Sequence, residues 1–281
     1  MKHKRLTIGL AATAAVAAVI GFLWYQFECW RIGGASTVRA KSRGLDFGGY
    51  ASVNGVFPPR YLVDSETGAR HSWRVLILPF IYCGPRCQGY SFQESWDSPN
   101  NQAVFSVKGG DHSLNWYVSP ASSGSREMTN YVAIYGEDTL WPEPDPAAGY
   151  SYVLTSDSED PEAESYQWPV PKGREVSREW YGKIAFVELL ESDIRWAEPR
   201  DVPLDQFLAE IEENPYGRFY NKWLKGILAV TAGANVVVID PHDSIDNIRR
   251  MFVVTEQAKD QETGVPQAPV ETGEDLQVKE R

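Results

Sequence analysis

The sequence predicts an α+β protein in which an N-terminal transmembrane helix precedes a globular head with an antiparallel sheet and short helices. Two observations carry this prediction: an uncharged N-terminal run, and later apolar segments separated by turn residues. The chain has 281 residues, enough for one large domain or two small ones. Ten Trp and fourteen Tyr indicate a folded, aromatic-rich core, which a fully disordered chain would lack.

Residues 6–27 form the uncharged run, and as a helix they would measure roughly 33 Å, enough to cross a hydrocarbon core of about 30 Å. The run is rich in Ala and contains Gly9 and Gly21, so its hydrophobicity is moderate. We expect it to lie in a lipid bilayer as an anchor. A cleaved signal peptide is the alternative, but residues 22–27 are bulky and make a poor cleavage site.

The two ends of this run predict its orientation. Lys4 and Arg5 precede it, while Trp24 and Tyr25 lie at its far end, where amphipathic rings favour the membrane interface. Cytoplasmic flanks carry an excess of Lys and Arg, so the N-terminus should stay in the cytoplasm. The C-terminal bulk is then extracytoplasmic, in a single-pass protein of the cell membrane.

The predicted organisation has four parts, which are a cytoplasmic start and anchor (1–28), a stalk (29–54), a globular domain (55–254) and a disordered tail (255–281). The formal net charge of −11 argues against nucleic-acid binding, because that function requires Lys and Arg to neutralise phosphates.

Export would favour oxidation of the three cysteines. Cys83 and Cys87 flank Gly-Pro-Arg, so a small disulfide loop with a Gly-Pro turn is the favoured interpretation, with free thiols as the alternative. A thioredoxin-like pair needs two intervening residues instead of three, and a zinc site needs further ligands. Cys29 then lies at the membrane surface or pairs between chains.

Local signals place several elements in the globular domain. Ser72 and Ser98 are predicted N-caps, and Pro99 follows the second at the first helical position. The apolar run after Ser72 fits a short buried helix or a strand. Further predictions are strands at 130–135 and 183–190, a long acidic surface excursion at 142–171, a helix at 204–211, paired strands at 227–230 and 234–239, and a closing helix at 244–252.

Carboxylates gather at the end of the second predicted strand and after it, at Glu188, Glu191, Asp193, Glu198 and Asp201, with Trp196 beside them. Paired carboxylates can hydrolyse glycosides, but acids are frequent in this chain and the last two also fit a salt-bridged turn. The sequence has no nucleophile elbow, no phosphate loop and no clustered histidines. We therefore expect no enzyme activity, no cofactor and no metal.

Four tryptophans admit two interpretations. The first is packing in the core or at its rim, and the second is a groove of aromatic platforms that binds a glycan or a small solute. The residues are Trp73, Trp96, Trp141 and Trp196.

Several motifs together resemble one family. They lie, in order, at 57–61, 72–80, 96–100, 129–134 with 140–142, 187–188 with 196–201, and 233–236. Over about residues 55–250 the chain resembles a large bacterial family of domains of unknown function that usually follows a prepilin-type N-terminal methylation sequence and also carries a solute-binding label. The resemblance implies a pilin-like head behind the N-terminal helix, in a bacterial cell membrane.

The N-terminus departs from that family. A prepilin has Gly before Phe-Thr-Leu-Ile-Glu at the start of its hydrophobic run, whereas residues 5–9 read Arg-Leu-Thr-Ile-Gly. The resemblance therefore implies a divergent member with a permanent anchor. Two functions are expected from it: a structural or assembly role with pilin-like or cell-surface proteins, or a module that binds an extracellular solute or glycan.

Overall fold

A computed structural model describes residues 2–81, 89–105, 116–144, 150–155, 166–171 and 174–254. Within these ranges the helices are α1 (Lys2–Asn54), α2 (Trp73–Leu76), α3 (Pro99–Phe105), α4 (Arg178–Tyr181), α5 (Leu204–Glu213) and α6 (Ile245–Arg250), and a 3-10 turn covers Leu78–Ile81. The strands are β1 (Tyr61–Val63), β2 (Arg70–Ser72), β3 (Tyr131–Tyr135), β4 (Tyr150–Thr155), β5 (Tyr166–Pro171), β6 (Ile184–Glu188), β7 (Val202–Pro203), β8 (Tyr220–Asn221), β9 (Gly226–Thr231) and β10 (Val236–Ile239).

The central sheet has the strand order β10-β9-β6-β3-β7, with β8 also paired to β9. Its neighbours are antiparallel except for β3 and β7, which run parallel. Strands β1 with β2 and β4 with β5 form separate antiparallel pairs. Every residue of β6 is buried, because both faces of the sheet are covered.

The two faces of the sheet belong to two cores. In β3, Tyr131 and Ala133 join one apolar cluster while Val132 and Ile134 join the other, as the two-residue period of a strand requires. The second cluster is completed by α5 and α6, whose apolar residues recur at helical spacing. The first cluster is completed by α1, α2 and the aromatic residues of the loops.

The second part of α1, residues 33–54, packs against the first face of the sheet and is here called the docked half. Gly44 permits the close approach, because a Cβ there would lie 2.7 Å from Val230 Cγ1 and 3.1 Å from Ala234 Cα. The helix ends at Gly55, whose φ of +71° suits the left-handed cap position. Buried positions of this half recur every three or four residues, at Gly33, Ser36, Ala40, Arg43, Phe47 and Tyr50.

The predicted transmembrane helix is wrong. Among the residues that the structure describes, no helix offers a stretch both long and apolar enough to cross a membrane. The physical reason is the composition of the run. Its Ala and Gly residues have little apolar surface, so their transfer into lipid offsets little of the free-energy cost of burying the polar terminus. The single-pass cell-membrane location, which depended on that helix, is corrected with it.

Residues 29–54, separated in the sequence analysis as a stalk, are a continuous part of α1. Their docked half contributes to the larger core, where Phe47 and Tyr50 are fully buried. The tail over 255–281 lies outside the described residues, as do parts of the acidic excursion. The prediction of a surface excursion is wrong at β4 and β5, which form an antiparallel pair and carry Trp168 into the larger core.

Several local predictions are confirmed. The Ser72 side chain accepts a hydrogen bond from the Arg74 amide at the start of α2, which resolves the open choice between helix and strand. The Ser98 hydroxyl accepts from the Asn101 amide at the start of α3. The predicted strands, the amphipathic helix, the hairpin and the closing helix correspond to β3, β6, α5, β9 with β10, and α6.

Candidate functional site

Residues 13–27 are the first part of α1 whose side chains the structure describes, and they are here called the projecting segment. Every one of its residues is exposed. Eight of them are nevertheless large and apolar or aromatic, with exposed fractions from 46% at Tyr25 to 65% at Trp24. The eight are Val16, Val19, Ile20, Phe22, Leu23, Trp24, Tyr25 and Phe27.

These side chains cover more than one side of the helix. Successive residues of an α-helix are about 100° apart, so the spacing i, i+3, i+4, i+7 and i+11 makes one continuous stripe, whose members are Val16, Val19, Ile20, Leu23 and Phe27. Phe22 and Tyr25 lie on the opposite side. The Phe27 ring lies 6.4 Å from that of Trp24 and 6.3 Å from that of Trp30, measured between centroids. A helix that is apolar on all sides is normally buried.

The projecting segment meets the head at Tyr25, whose ring centroid lies 6.3 Å from that of Trp223. A hydrogen bond to Cys29 raises the pKa of the Tyr25 hydroxyl. Cys29 is half-buried and its thiol is free, and the described part of the chain holds no disulfide. Farther along, a Cβ on Gly33 would lie 2.9 Å from Leu224 Cδ2, so the helix is in close contact with the head from there onwards.

One of the predicted acidic residues, Asp201, belongs to a buried network. Arg74 Nη2 donates to Asp201 Oδ1 at 2.5 Å, and both side chains are fully buried. The same oxygen accepts from Ala133 N at 2.8 Å and Trp73 Nε1 at 3.3 Å, and Arg74 Nε donates to Tyr131 O at 2.8 Å. Burial raises the pKa of Asp201 against the opposing effect of Arg74. The network ties α2 to β3 and to the chain before β7, which is a structural arrangement.

Glu188 forms a second, separate network at the end of β6. Its Oε1 accepts from the Ser119 hydroxyl at 2.5 Å and its Oε2 from Asn221 Nδ2 at 2.7 Å. Burial raises the pKa of this carboxyl. Because both oxygens already hold hydrogen bonds inside the protein, the side chain joins a loop to β6 and β8.

The remaining acids of the predicted cluster lie at the surface. Arg200 pairs with Asp193 at 2.8 Å and with Glu198 at 2.6 Å. The Glu198 pair belongs to the predicted salt-bridged turn, whereas Asp201 at the end of that turn pairs with Arg74 instead. Glu191 is exposed. The structure therefore divides the five acids between two buried networks and a surface turn, instead of gathering them in one cleft.

The four tryptophans are mostly core residues. Trp73 and Trp141 are fully buried, with ring centroids 5.3 Å apart, and Trp196 is 7% exposed and stacks on Tyr117. Trp96 is half-buried and packs against the same cluster. The packing interpretation therefore describes the three buried rings.

Other predicted residues fall partly outside the described chain. Cys83 and Cys87, the disulfide candidates, lie outside the described residues, as do the side chains of Lys4 and Arg5. Trp24 and Tyr25, predicted to lie at a membrane interface, are exposed on the projecting segment. Within the described residues, His, Cys, Asp and Glu form no group suited to a metal ion.

Residues 44–173 match the model of a family described as "Protein of unknown function (DUF1559)". This stretch is similar to a family of unknown function. That much of the motif resemblance is supported, while the prepilin association is not part of the match. The DUF1559 stretch begins within the docked half of α1 and includes the α2 network residue Arg74. No curated protein and no solved structure matches the chain.

Sequence reasoning missed the docked half of α1 and the partner of Asp201. A signal for the docked half was present, because its buried residues recur every three or four positions up to Gly55. Most of them are small or polar, so a search for apolar periodicity passed over them. Nothing local connects Arg74 with Asp201, since more than a hundred residues separate them.

Proposed function

We propose that this protein has a structural, non-enzymatic role in assembly, and that its projecting segment packs against the projecting segments of further copies in a pilin-like arrangement. One observation carries the proposal: a helix exposed on all sides displays eight large apolar or aromatic side chains. Contiguous exposed apolar surface of this kind marks interaction sites.

Another helix fits this surface best. The stripe that contains Val19 and Leu23 has the spacing that helices use to pack against one another. Ala17, Ala18 and Gly21 lie between the large side chains and leave grooves for the ridges of a neighbouring helix. Because the opposite side is apolar as well, several helices are expected around each segment.

The free energy gained by burying these side chains is comparable with the cost of association. Full burial of a Val, Leu or Phe side chain contributes about 1.5–3 kcal/mol, so eight half-exposed ones contribute on the order of 6–12 kcal/mol per chain. Association costs about 4–15 kcal/mol. The two terms are comparable, so a single charge within the stripe should have a large effect on assembly.

The docked half of α1 supports the pilin-like form of the proposal. It is continuous with the projecting segment and holds the head at one end of a single helix. Helices packed in a bundle would therefore carry their heads on the outside, as in the architecture that the family resemblance implies.

Sedimentation velocity of the full chain over a concentration series tests this proposal. We expect the wild type to form assemblies, and Val19→Glu to remain monomeric or to need at least about tenfold higher concentration. Val53→Glu is the matched control, because Val53 lies in the last turn of the same helix and is 72% exposed. It should assemble like the wild type.

A wild-type chain that stays monomeric throughout the series would contradict the proposal. Equal loss of assembly in Val19→Glu and Val53→Glu would do so too, because the effect would then be one of charge and not of the stripe. Thermal melts of both variants show whether the head is still folded.

A further inference from the structure

A cavity of about 310 Å³ lies beside the docked half of α1. One wall is α1, which contributes Arg39, and the other is the loop over 118–126. The two walls meet at Ser36 and Ser119, whose hydroxyl oxygens are 3.4 Å apart. The described residues of its lining are Arg39, Val118, Ser119, Pro120, Ser122, Ser123, Gly124 and Arg126.

The charge of this lining is opposite to that of the chain. Of the lining residues that the structure describes, two are arginines and none is acidic, in a protein with a formal net charge of −11. Guanidinium groups offer paired N–H donors that match the oxygens of carboxylate, sulfate and phosphate. Two of them from different elements, α1 and the loop, can approach one oxyanion from two directions.

Hydrogen bonds within the head hold the loop wall in place. The Ser119 hydroxyl donates to buried Glu188 and accepts from the Ala121 amide at 3.0 Å. The Ser122 hydroxyl donates to Leu190 O at 2.9 Å and accepts from the Gly124 amide at 3.1 Å. Because these hydroxyls are anchored to β6 and the chain after it, the loop needs little reordering when a ligand enters.

We infer that this cavity binds a small ligand with an oxyanion group, held between Arg39 and Arg126. Its volume is at the lower end of the range for ligand pockets, about 300–1,000 Å³, so the ligand has about the size of a monosaccharide. The serine-rich loop wall suits the hydroxyls of such a ligand. A sugar acid or a sugar phosphate combines both features.

Isothermal titration of the full chain tests the site with four probes: inorganic phosphate, glucuronate, glucose 6-phosphate and glucose. We expect the three anions to bind and glucose not to bind. Affinity should fall as NaCl is raised, since the contact is one of charge at a partly open site. Stronger binding of the sugar anions than of phosphate would indicate that the serine side chains of the loop wall contact the sugar hydroxyls.

Variants locate the binding. Arg126→Gln and Arg39→Gln should each weaken anion binding about tenfold or more, the effect of removing a charge-assisted hydrogen bond. Arg178→Gln is the control, an exposed arginine on α4 outside the lining. Thermal melts of both arginine variants show whether the head is still folded.

Two results would overturn the inference. One is the absence of heat or saturation with all three anions at low salt. The other is equal affinity in Arg126→Gln and Arg178→Gln, which would assign the signal to general attraction by surface arginines. Neither result depends on assembly, because both can be measured with the Val19→Glu chain as well.

Discussion

The two parts of helix α1 have opposite relations between composition and burial. The projecting segment consists largely of Ala, Val, Ile and aromatic residues and is exposed throughout. The docked half contains Gly, Ser, Arg and Asp, yet its inner side is buried against the head. Phe27 is 50% exposed and Phe47 is fully buried, twenty residues farther along one continuous helix.

This difference shows that shape decided which part of α1 docks. The docked half approaches β9 and β10 closely because small residues face the sheet, with Gly44 against Val230 and Ala234. Lys41 Nζ also donates to Ala234 O at 2.5 Å across the contact. Apart from Tyr25, whose ring lies 6.3 Å from that of Trp223, the large side chains of the projecting segment are exposed and remain available to other chains.

The largest expected effect comes from exchanging the two phenylalanines for alanine. Phe47 packs on Phe57, Trp141 and Phe186 at centroid distances of 5.5–6.3 Å, so Phe47→Ala should lower the free energy of unfolding by about 3–5 kcal/mol. Phe27→Ala should change it by less than about 0.5 kcal/mol. Urea denaturation followed by Trp fluorescence measures both.

The effects of the same two variants on assembly should have the reverse order of size. Phe27→Ala should raise the concentration at which the full chain associates, because it removes part of the exposed stripe. If Phe27→Ala instead destabilised the head as much as Phe47→Ala, the division of α1 into a docked and a projecting part would be incorrect.

A smaller effect concerns the charge buried with the docked half. Asp46 is 13% exposed and pairs with Arg43 at 3.0 Å, yet burial raises the pKa of its carboxyl from 3.8 to about 6. Between pH about 4 and 6 the folded state therefore binds a proton that the unfolded state has lost. Stability from this group is present at low pH and is lost as the pH rises through 6, by up to about 3 kcal/mol.

Asp46→Asn removes this contribution. The difference in unfolding free energy between the wild type and the variant should shift in favour of the variant as the pH is raised from 4 to 7. Urea titrations at several pH values measure that difference. Parallel pH profiles would show that Asp46 titrates alike in the folded and unfolded chains.

The smallest expected effect tests the close approach of α1 to the sheet. In Gly44→Ala the new Cβ meets a buried side chain and a backbone atom, and the net loss should be about 1–2 kcal/mol after the gain in helix propensity. Gly48→Ala is the matched control, because nothing lies within 4 Å of its Cβ position. It should stabilise the protein by about 0.5–1 kcal/mol, and a similar response of both variants in thermal melts would argue against tight docking at Gly44.

Local chemistry made many elements predictable. Ser72 and Ser98 act as caps because a side-chain oxygen next to amide donors suffices for that role. Strands β9 and β10 pair across Ala232-Gly233 because the two apolar runs are adjacent in the chain. Less of the candidate sites could be predicted from the sequence. The apolar residues of the projecting segment were evident, whereas the cavity joins Arg39 to Arg126, which no local pattern connects.

From the sequence one could predict several elements of the head, among them β3, β6, α5 and α6, and a helical, apolar N-terminal run, because these depend on neighbouring residues. The docking of residues 33–54, the pairing of Arg74 with Asp201 and the separation of the acids became evident from the three-dimensional structure. Those outcomes depend on shape and desolvation between distant segments. Buried Arg74 is held by oxygens from two distant parts of the chain, Tyr131 and residues 198–201, and periodicity along one segment does not predict such a combination.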